Sequence, residues 1–133
     1  MVTGVQTCAL PISNNQTRVA NLAADMLERI QFNRRKAANY HGINVSSGTT
    51  TCPTAAADVM ANGDCTQWRT LLLSSNLQNI VGTVTLSPVP PATDPLGLNR
   101  STVTVLVTWN ETGSGEVTAA SKTLRLDTVV APE

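Results

Sequence analysis

The spacing of apolar residues changes once along the chain, from a helical period to a strand period. Between residues 14 and 41 apolar side chains recur every three or four positions, as on one face of an α-helix. Gly42 follows, and glycine commonly ends helices. The pattern predicts one long helix over residues 14–41 with a single apolar stripe, formed by Val19, Leu22, Ala23, Met26, Ile30, Ala37 and Tyr40.

Charged residues fall largely outside this stripe. Asp25 precedes Arg29 by four positions, a spacing that stabilises a helix by about 0.3 kcal/mol. The basic run 34–36 lies in the last predicted turns, where positive charge offsets the helix dipole. The same run could contact phosphate or acidic lipid, but we favour a solvated helix end.

Residues 79–130 show strand alternation instead. Prolines interrupt the pattern between residues 88 and 95, and a Gly-Ser-Gly connection at 113–115 separates the last two runs, as in an antiparallel hairpin. A long helix followed by an antiparallel sheet predicts an α+β fold, in which the helix packs on one sheet face. In the first run one face carries Ile80, Gly82, Val84 and Leu86, and the other carries Val81, Thr83, Thr85 and Ser87. In the second run Val103, Val105, Val107 and Trp109 share one face. In the third run the inward positions are Leu124, Leu126 and Val130.

The segment between helix and sheet is less regular. Residues 42–65 have the composition of a loop, although a helical stretch broken at Asn62–Asp64 is possible within them. Thr66 is placed to cap a short second helix over residues 66–76. That helix would direct Trp68, Leu71 and Leu72 to the core, and Trp109 would be the second core aromatic residue.

Two cysteines flank part of this segment. A bridge between Cys52 and Cys65 would close a short loop and stabilise the fold by about 3 kcal/mol. The alternative is two buried or idle thiols. With no C-x-x-C spacing and no histidine nearby, metal binding is disfavoured. We favour the disulfide, which indicates an oxidising compartment.

Composition points away from catalysis and nucleic-acid binding. The 133 residues suit one domain, and nine Lys plus Arg balance nine Asp plus Glu, so the basic surface of a dedicated nucleic-acid binder is missing. The single histidine, His41, has no G-x-S-x-G turn to serve, no carboxylates cluster, and no glycine-rich phosphate loop occurs. We expect a protein that is not an enzyme and needs no cofactor or metal.

Residues 1–13 lack periodicity. Their apolar run is shorter than the roughly 7 residues of a signal-peptide core and the roughly 20 of a membrane span. As written, the chain has no export signal, which conflicts with a disulfide.

The stretch NLAADMLERIQFNRRKAANY resembles a block in minor pilins of type IV pili, of the PilV type (type IV pilus modification protein). That block has small residues, Asp-Met, an Arg, an aliphatic residue, an Asn and, after alanines, a Tyr. A Cys-bearing linker, a Trp on a short helix and a strand ending in Trp follow in the same order. The matching positions are Ala23, Ala24, Asp25, Met26, Arg29, Ile30, Asn33, Ala37, Tyr40, Trp68 and Trp109.

The beginning of the chain departs from that family, whose members start with a basic leader and a long apolar helix half. Residues 2–12, VTGVQTCALPI, instead resemble a translated sequencing adapter. We therefore expect residues 1–13 to be an artefactual segment, with the native leader lost near Ser13, and residues 14–133 to be a pilin headgroup. Excluding Cys8 with this segment leaves two cysteines, Cys52 and Cys65, which can pair with each other.

The resemblance implies a pilin-like fold and a structural subunit that takes part in pilus assembly or priming, supporting motility, adhesion or surface display. Its partners would be other minor pilins and major pilin subunits, and it would meet the inner membrane only through the missing helix half before reaching the cell-surface pilus. A type II secretion pseudopilin is the nearest alternative. A small secreted hydrolase and a DNA-binding competence pilin are more distant ones.

Overall fold

The structure is a computed structural model that describes residues 14–88, 100–111 and 120–131. The predicted α+β class is confirmed. The expectations for residues 1–13, for the proline-rich loop beyond Pro88 and for the Gly-Ser-Gly connection lie outside the described residues. The elements are α1 (Asn14–Phe32), a 3-10 helix (Arg34–Tyr40), β1 (Asn44–Ser46), β2 (Thr50–Thr51), α2 (Val59–Ser74), β3 (Gln78–Ser87), β4 (Ser101–Glu111) and β5 (Ala120–Val130).

The strands form one antiparallel sheet in the order β2-β1-β3-β4-β5. Val84 in β3 lies opposite Val105 in β4, which lies opposite Leu126 in β5. The predicted alternation is confirmed, because alternate residues of β3 and β4 are buried. Leu124 and Leu126 face the same side and pack on the core while staying partly accessible. One sheet face is therefore mainly apolar and covered, and the other carries mainly polar residues, among which threonine is the commonest.

The apolar stripe of α1 packs on this sheet, against β4 and β5. Val19, Ala23, Met26 and Ile30 are completely buried, and Leu22 is partly buried at the margin. Burying a side chain of this size contributes about 1.5–3 kcal/mol, so the stripe is a major source of stability.

The prediction of one helix reaching residue 41 is wrong in its last part. The α-helix stops at Phe32, and the N–H of Asn33 is shared between the carbonyls of Arg29 and Ile30, both 3.1 Å away. The backbone then tightens into the 3-10 helix. With three residues per turn, Ala37 and Tyr40 lie on the same face, and both are buried. Gly42 follows at φ +89°, in the left-handed region that favours glycine.

The second helix also differs from the prediction, since α2 begins at Val59 and ends at Ser74 instead of spanning 66–76. Its cap is Asp58, whose carboxylate accepts from the N–H groups of Met60 and Ala61 at 3.0 and 3.1 Å. Asn62–Asp64 continue the helix, and the predicted linker 42–65 also contains β1 and β2. Trp68 is buried as expected, whereas Leu71 is 40% exposed, contrary to expectation.

Candidate functional site

Several polar residues of the stretch 21–40 meet where α1, the 3-10 helix and α2 come together. We call this place the helix junction and define it by six residues: Asp25, Arg29, Asn33, Tyr40, Asp58 and Asp64. Four of them belong to the block identified in the sequence, and the other two are supplied by α2 and its cap. Hydrogen bonds of these side chains link the three elements at the junction.

Arg29 links the two helices. Its Nε donates to Asp25 at 2.9 Å, which confirms the predicted pair one turn earlier on α1. Its Nη1 donates to Asp64 of α2 at 3.0 Å and to Gln67 at 2.8 Å. Burial opposes the charged form of Arg29, but the bonds to Asp25 and Asp64 outweigh it and raise the pKa of the guanidinium. The planar fork of arginine suits such shared carboxylate contacts.

Tyr40 joins the 3-10 helix to the same carboxylate. Its hydroxyl donates to Asp64 at 2.5 Å and accepts from the amide of Asn33 at 3.2 Å. Burial of the ring and the bond to Asp64 both raise the pKa of the phenol well above its usual value. Tyr40 is therefore neutral and acts as a hydrogen-bond donor at physiological pH.

Asp58 completes the junction at the start of α2. One carboxylate oxygen caps α2, and the other accepts from Asn33 at 3.1 Å and from Asn39 at 3.0 Å. Burial disfavours the charged carboxylate, yet the bonds from Asn39, Ala61 and Asn33 outweigh burial and lower the pKa of Asp58. A buried carboxylate that accepts from both its helix and its neighbours is well compensated.

The disulfide closes the segment that carries these groups. Cys52 and Cys65 are bonded, with their Cα atoms 5.7 Å apart, so the predicted bridge is present in the structure. Cys65 lies on α2 and is fully buried. Next to the bridge, the amide of Asn62 donates to the carbonyl of Pro53 at 2.8 Å. The chain from β2 to α2 is thereby held to the junction by covalent and polar contacts.

The two tryptophans are linked to α1 at different places, Trp68 directly and Trp109 through Glu111. Trp68 is fully buried, and its indole N–H donates to the carbonyl of Leu22 in α1 at 2.9 Å. The indole N–H of Trp109 donates to Glu111 at 3.0 Å, and Asn15 at the start of α1 donates to the same oxygen at 2.9 Å. The bonds from Trp109 and Asn15 lower the pKa of Glu111. Each tryptophan thus helps to fasten α1 to another part of the fold.

The hydrogen bonds and ion pairs at the junction hold the helices together. The polar groups that residues 21–40 contribute to the junction bond to one another or to α2 and its cap. The lone histidine lies apart from this network: His41 is exposed, and its Nδ1 accepts from the backbone N–H of Leu86 at 3.0 Å. In the part of the chain that the structure describes, no three His, Cys, Asp or Glu side chains are arranged to hold a metal ion.

The helices of the fold are short or polar by the standard of membrane spans. Within residues 14–88, 100–111 and 120–131, none combines the length and the apolar character needed to cross a bilayer.

Sequence reasoning missed Asp58, Asp64, Asn39 and Glu111. Asp58 carries a signal that could have been used, since an aspartate directly before the apolar pair at 59–60 has the position of a helix cap. Asp64 and Asn39 carry no such signal, because their partners are distant in sequence and meet them only in the folded chain.

Comparison with protein-family models, with curated proteins and with solved structures finds no match for this chain.

Proposed function

We propose that this chain is the headgroup of a type IV pilus minor pilin, a subunit that works by assembly and catalyses no reaction. The observation that carries the proposal is that the polar side chains of the pilin-like stretch 21–40 link the helices of the fold. Asp25, Arg29, Asn33 and Tyr40 all bond within the fold, to one another or to α2. These bonds tie α1 and the 3-10 helix to α2, which is the role expected of a subunit that works by assembly.

The layout supports the same proposal. In the family that the block resembles, the helix continues upstream into an apolar half that anchors the subunit and enters the fibre core. A headgroup that transmits force through this helix needs it firmly fixed to the rest of the domain. Here α1 is fixed by its buried stripe, by Arg29, by the indole of Trp68 and by Asn15.

A pseudopilin of a type II secretion system is the second candidate, since the same helix-on-sheet layout and the same fastening would serve it equally. The experiment is deletion of the gene in the bacterium that carries it, followed by two assays: the amount of pili sheared from the cell surface, and the secretion of exoproteins. The proposal predicts fewer surface pili and normal secretion, with piliation restored to wild type by the genomic gene supplied on a plasmid.

Unchanged piliation together with lost secretion would contradict the pilus assignment and favour the pseudopilin. The matched complementation control is Arg35→Ala, which changes an exposed cation on the 3-10 helix outside the junction. It should complement as well as the wild-type gene, whereas Arg29→Ala should complement poorly because it breaks the fastening between α1 and α2.

A further inference from the structure

The outer edge of the sheet is formed by β5, an eleven-residue strand with β4 as its single strand neighbour among the described residues. The alternation of backbone hydrogen bonds across the sheet shows which N–H and C=O groups of β5 point outward. In β3, the N–H and C=O of Val84 bond to residues 42 and 43, away from β4. Val105, which lies opposite Val84, therefore directs its N–H and C=O toward β5, where it pairs with Leu126. Leu126 points its backbone groups back toward β4. Because these directions alternate along a strand, the odd-numbered residues of β5 direct their N–H and C=O away from β4.

These outward groups present a template for another strand. The residues concerned are exposed, and of their backbone groups only the carbonyl of Val129 has a partner in the described residues, the side chain of Gln31 at 3.0 Å. Long exposed edge strands pair readily with further chains. The outward residues are Ser121, Thr123, Arg125, Asp127 and Val129.

The charges on this edge select the partner. Arg125 and Asp127 lie two residues apart on the same exposed face, 3.2 Å from each other, with side chains 63% and 43% exposed. We propose that β5 pairs antiparallel with β5 of a second copy of this chain, about a two-fold axis at Leu126. In that register Arg125 lies opposite Asp127 of the partner subunit, and the reciprocal pair forms on the other side of the axis.

Neighbouring two-fold registers are disfavoured by the same charges. Centring the axis on residue 125 would set two arginines directly opposite each other, and centring it on residue 127 would set two aspartates opposite each other. In the register at Leu126 odd-numbered residues lie opposite odd-numbered residues, so the outward N–H and C=O groups of the two strands can bond to each other. Across the axis, pairing extends over residues 122–130 of both copies and joins two sheets into one.

The groove between α1 and the β5 edge, on the sheet face that α1 covers, favours the same contact. An open groove of about 750 Å³ runs between α1 and β5, with Leu27 and Phe32 on one wall and Thr128 on the other. Phe32 is 83% exposed. In the proposed register, Leu124 of the partner subunit lies beside Thr128 and extends the apolar surface of this groove. Pairing therefore adds apolar burial to the strand hydrogen bonds.

The edge contact is independent of the proposed function and reaches beyond it. Helix α1 begins near Glu111 and ends near Val129, so it runs in the same direction as β5. A two-fold axis through β5 makes the two α1 helices antiparallel. Subunits anchored in one membrane by the upstream end of this helix point the same way. The contact therefore joins copies of opposite orientation and is separate from packing within one fibre.

The test is sedimentation equilibrium of the full chain over a concentration series, with Arg125→Glu and Asp127→Arg as separate variants. Wild type should dimerise. Each variant places like charges across the axis and should raise the dimer dissociation constant at least about tenfold. An equimolar mixture of the two variants should dimerise again, because every charge at position 125 of one variant then faces an opposite charge at position 127 of the other.

The matched control is Arg35→Glu, which makes the same change of charge at an exposed position on the 3-10 helix, outside β5. It should leave the dissociation constant unchanged, and circular dichroism should show that all variants are folded. A wild-type chain that stays monomeric throughout the series would overturn the proposal. So would a dimer that tolerates Arg125→Glu, or single variants that do not recombine when mixed. None of these outcomes bears on piliation, so the two proposals fail separately.

Discussion

The close approach between Gly82 and α2 gives a sharp test of how the second helix closes the core. Gly82 lies in the middle of β3, and a methyl group added there would come within 2.6 Å of the Trp68 ring and of the Leu72 side chain. Both neighbours are buried, so they have little room to move. Gly82→Ala should therefore lower the free energy of unfolding by about 1–3 kcal/mol, as overpacked core substitutions do.

Gly63→Ala is the matched control for this substitution. Gly63 lies within α2, and nothing stands within 4 Å of its added methyl group. Since alanine favours the helix over glycine, this variant should gain about 0.5–1 kcal/mol. Urea unfolding of the full chain at neutral pH measures both changes, and a loss of about 2 kcal/mol should also lower the melting temperature by roughly 8 °C. Equal stability of Gly82→Ala and wild type would refute the packing of Trp68 and Leu72 on β3.

Three further predictions concern the junction, the bridge and the start of the chain. Folding lowers the pKa of Asp58, so its stabilising effect is present above its unfolded pKa of about 4 and is lost as the pH falls through the folded pKa. Urea unfolding from about pH 7 to about pH 3 should show this loss of stability. The Asp58→Asn variant keeps a capping side chain and should show a smaller loss over the same range. Reduction of the Cys52–Cys65 bridge should cost about 3 kcal/mol of stability, and a Cys52→Ser, Cys65→Ser variant that unfolds at the same urea concentration as the oxidised protein would contradict it. Fresh sequencing of the genomic locus should replace residues 2–12 with a different sequence, and recovery of the present sequence would show the adapter interpretation to be wrong.

The periodic parts of the fold could be predicted because each face of an element has one environment. The stripe from Val19 to Ile30 and the alternation in β3 and β4 follow directly from burial on one side. The two tryptophans could be assigned to the core for the same reason. The i, i+4 pair of Asp25 and Arg29 needed only helix geometry.

The parts that failed depend on contacts between distant segments. Asn62–Asp64 have the composition of a turn, but the cap at Asp58, the bridge at Cys65 and the bonds of Asp64 hold them in α2. The passage to a 3-10 helix after Phe32 is equally hidden, since Ala37 and Tyr40 fit either helix period over so short a stretch.

The same distinction holds for the candidate site. Resemblance identified four residues of the helix junction, namely Asp25, Arg29, Asn33 and Tyr40, without indicating what they do. Their partners Asp58 and Asp64 became visible only in the folded chain. That these residues hold the helices together is therefore a structural inference, and the pilus function is proposed from it.

The most direct test of that function is mass spectrometry of pili sheared from the bacterium that carries the gene. The account predicts peptides of this chain, including ones from β3 and β4, in the purified pilus fraction at a level far below that of the major subunit. It predicts their loss from that fraction in a strain that cannot assemble pili. Pili that are abundant but free of these peptides, with the protein retained entirely in the cell, would contradict the account.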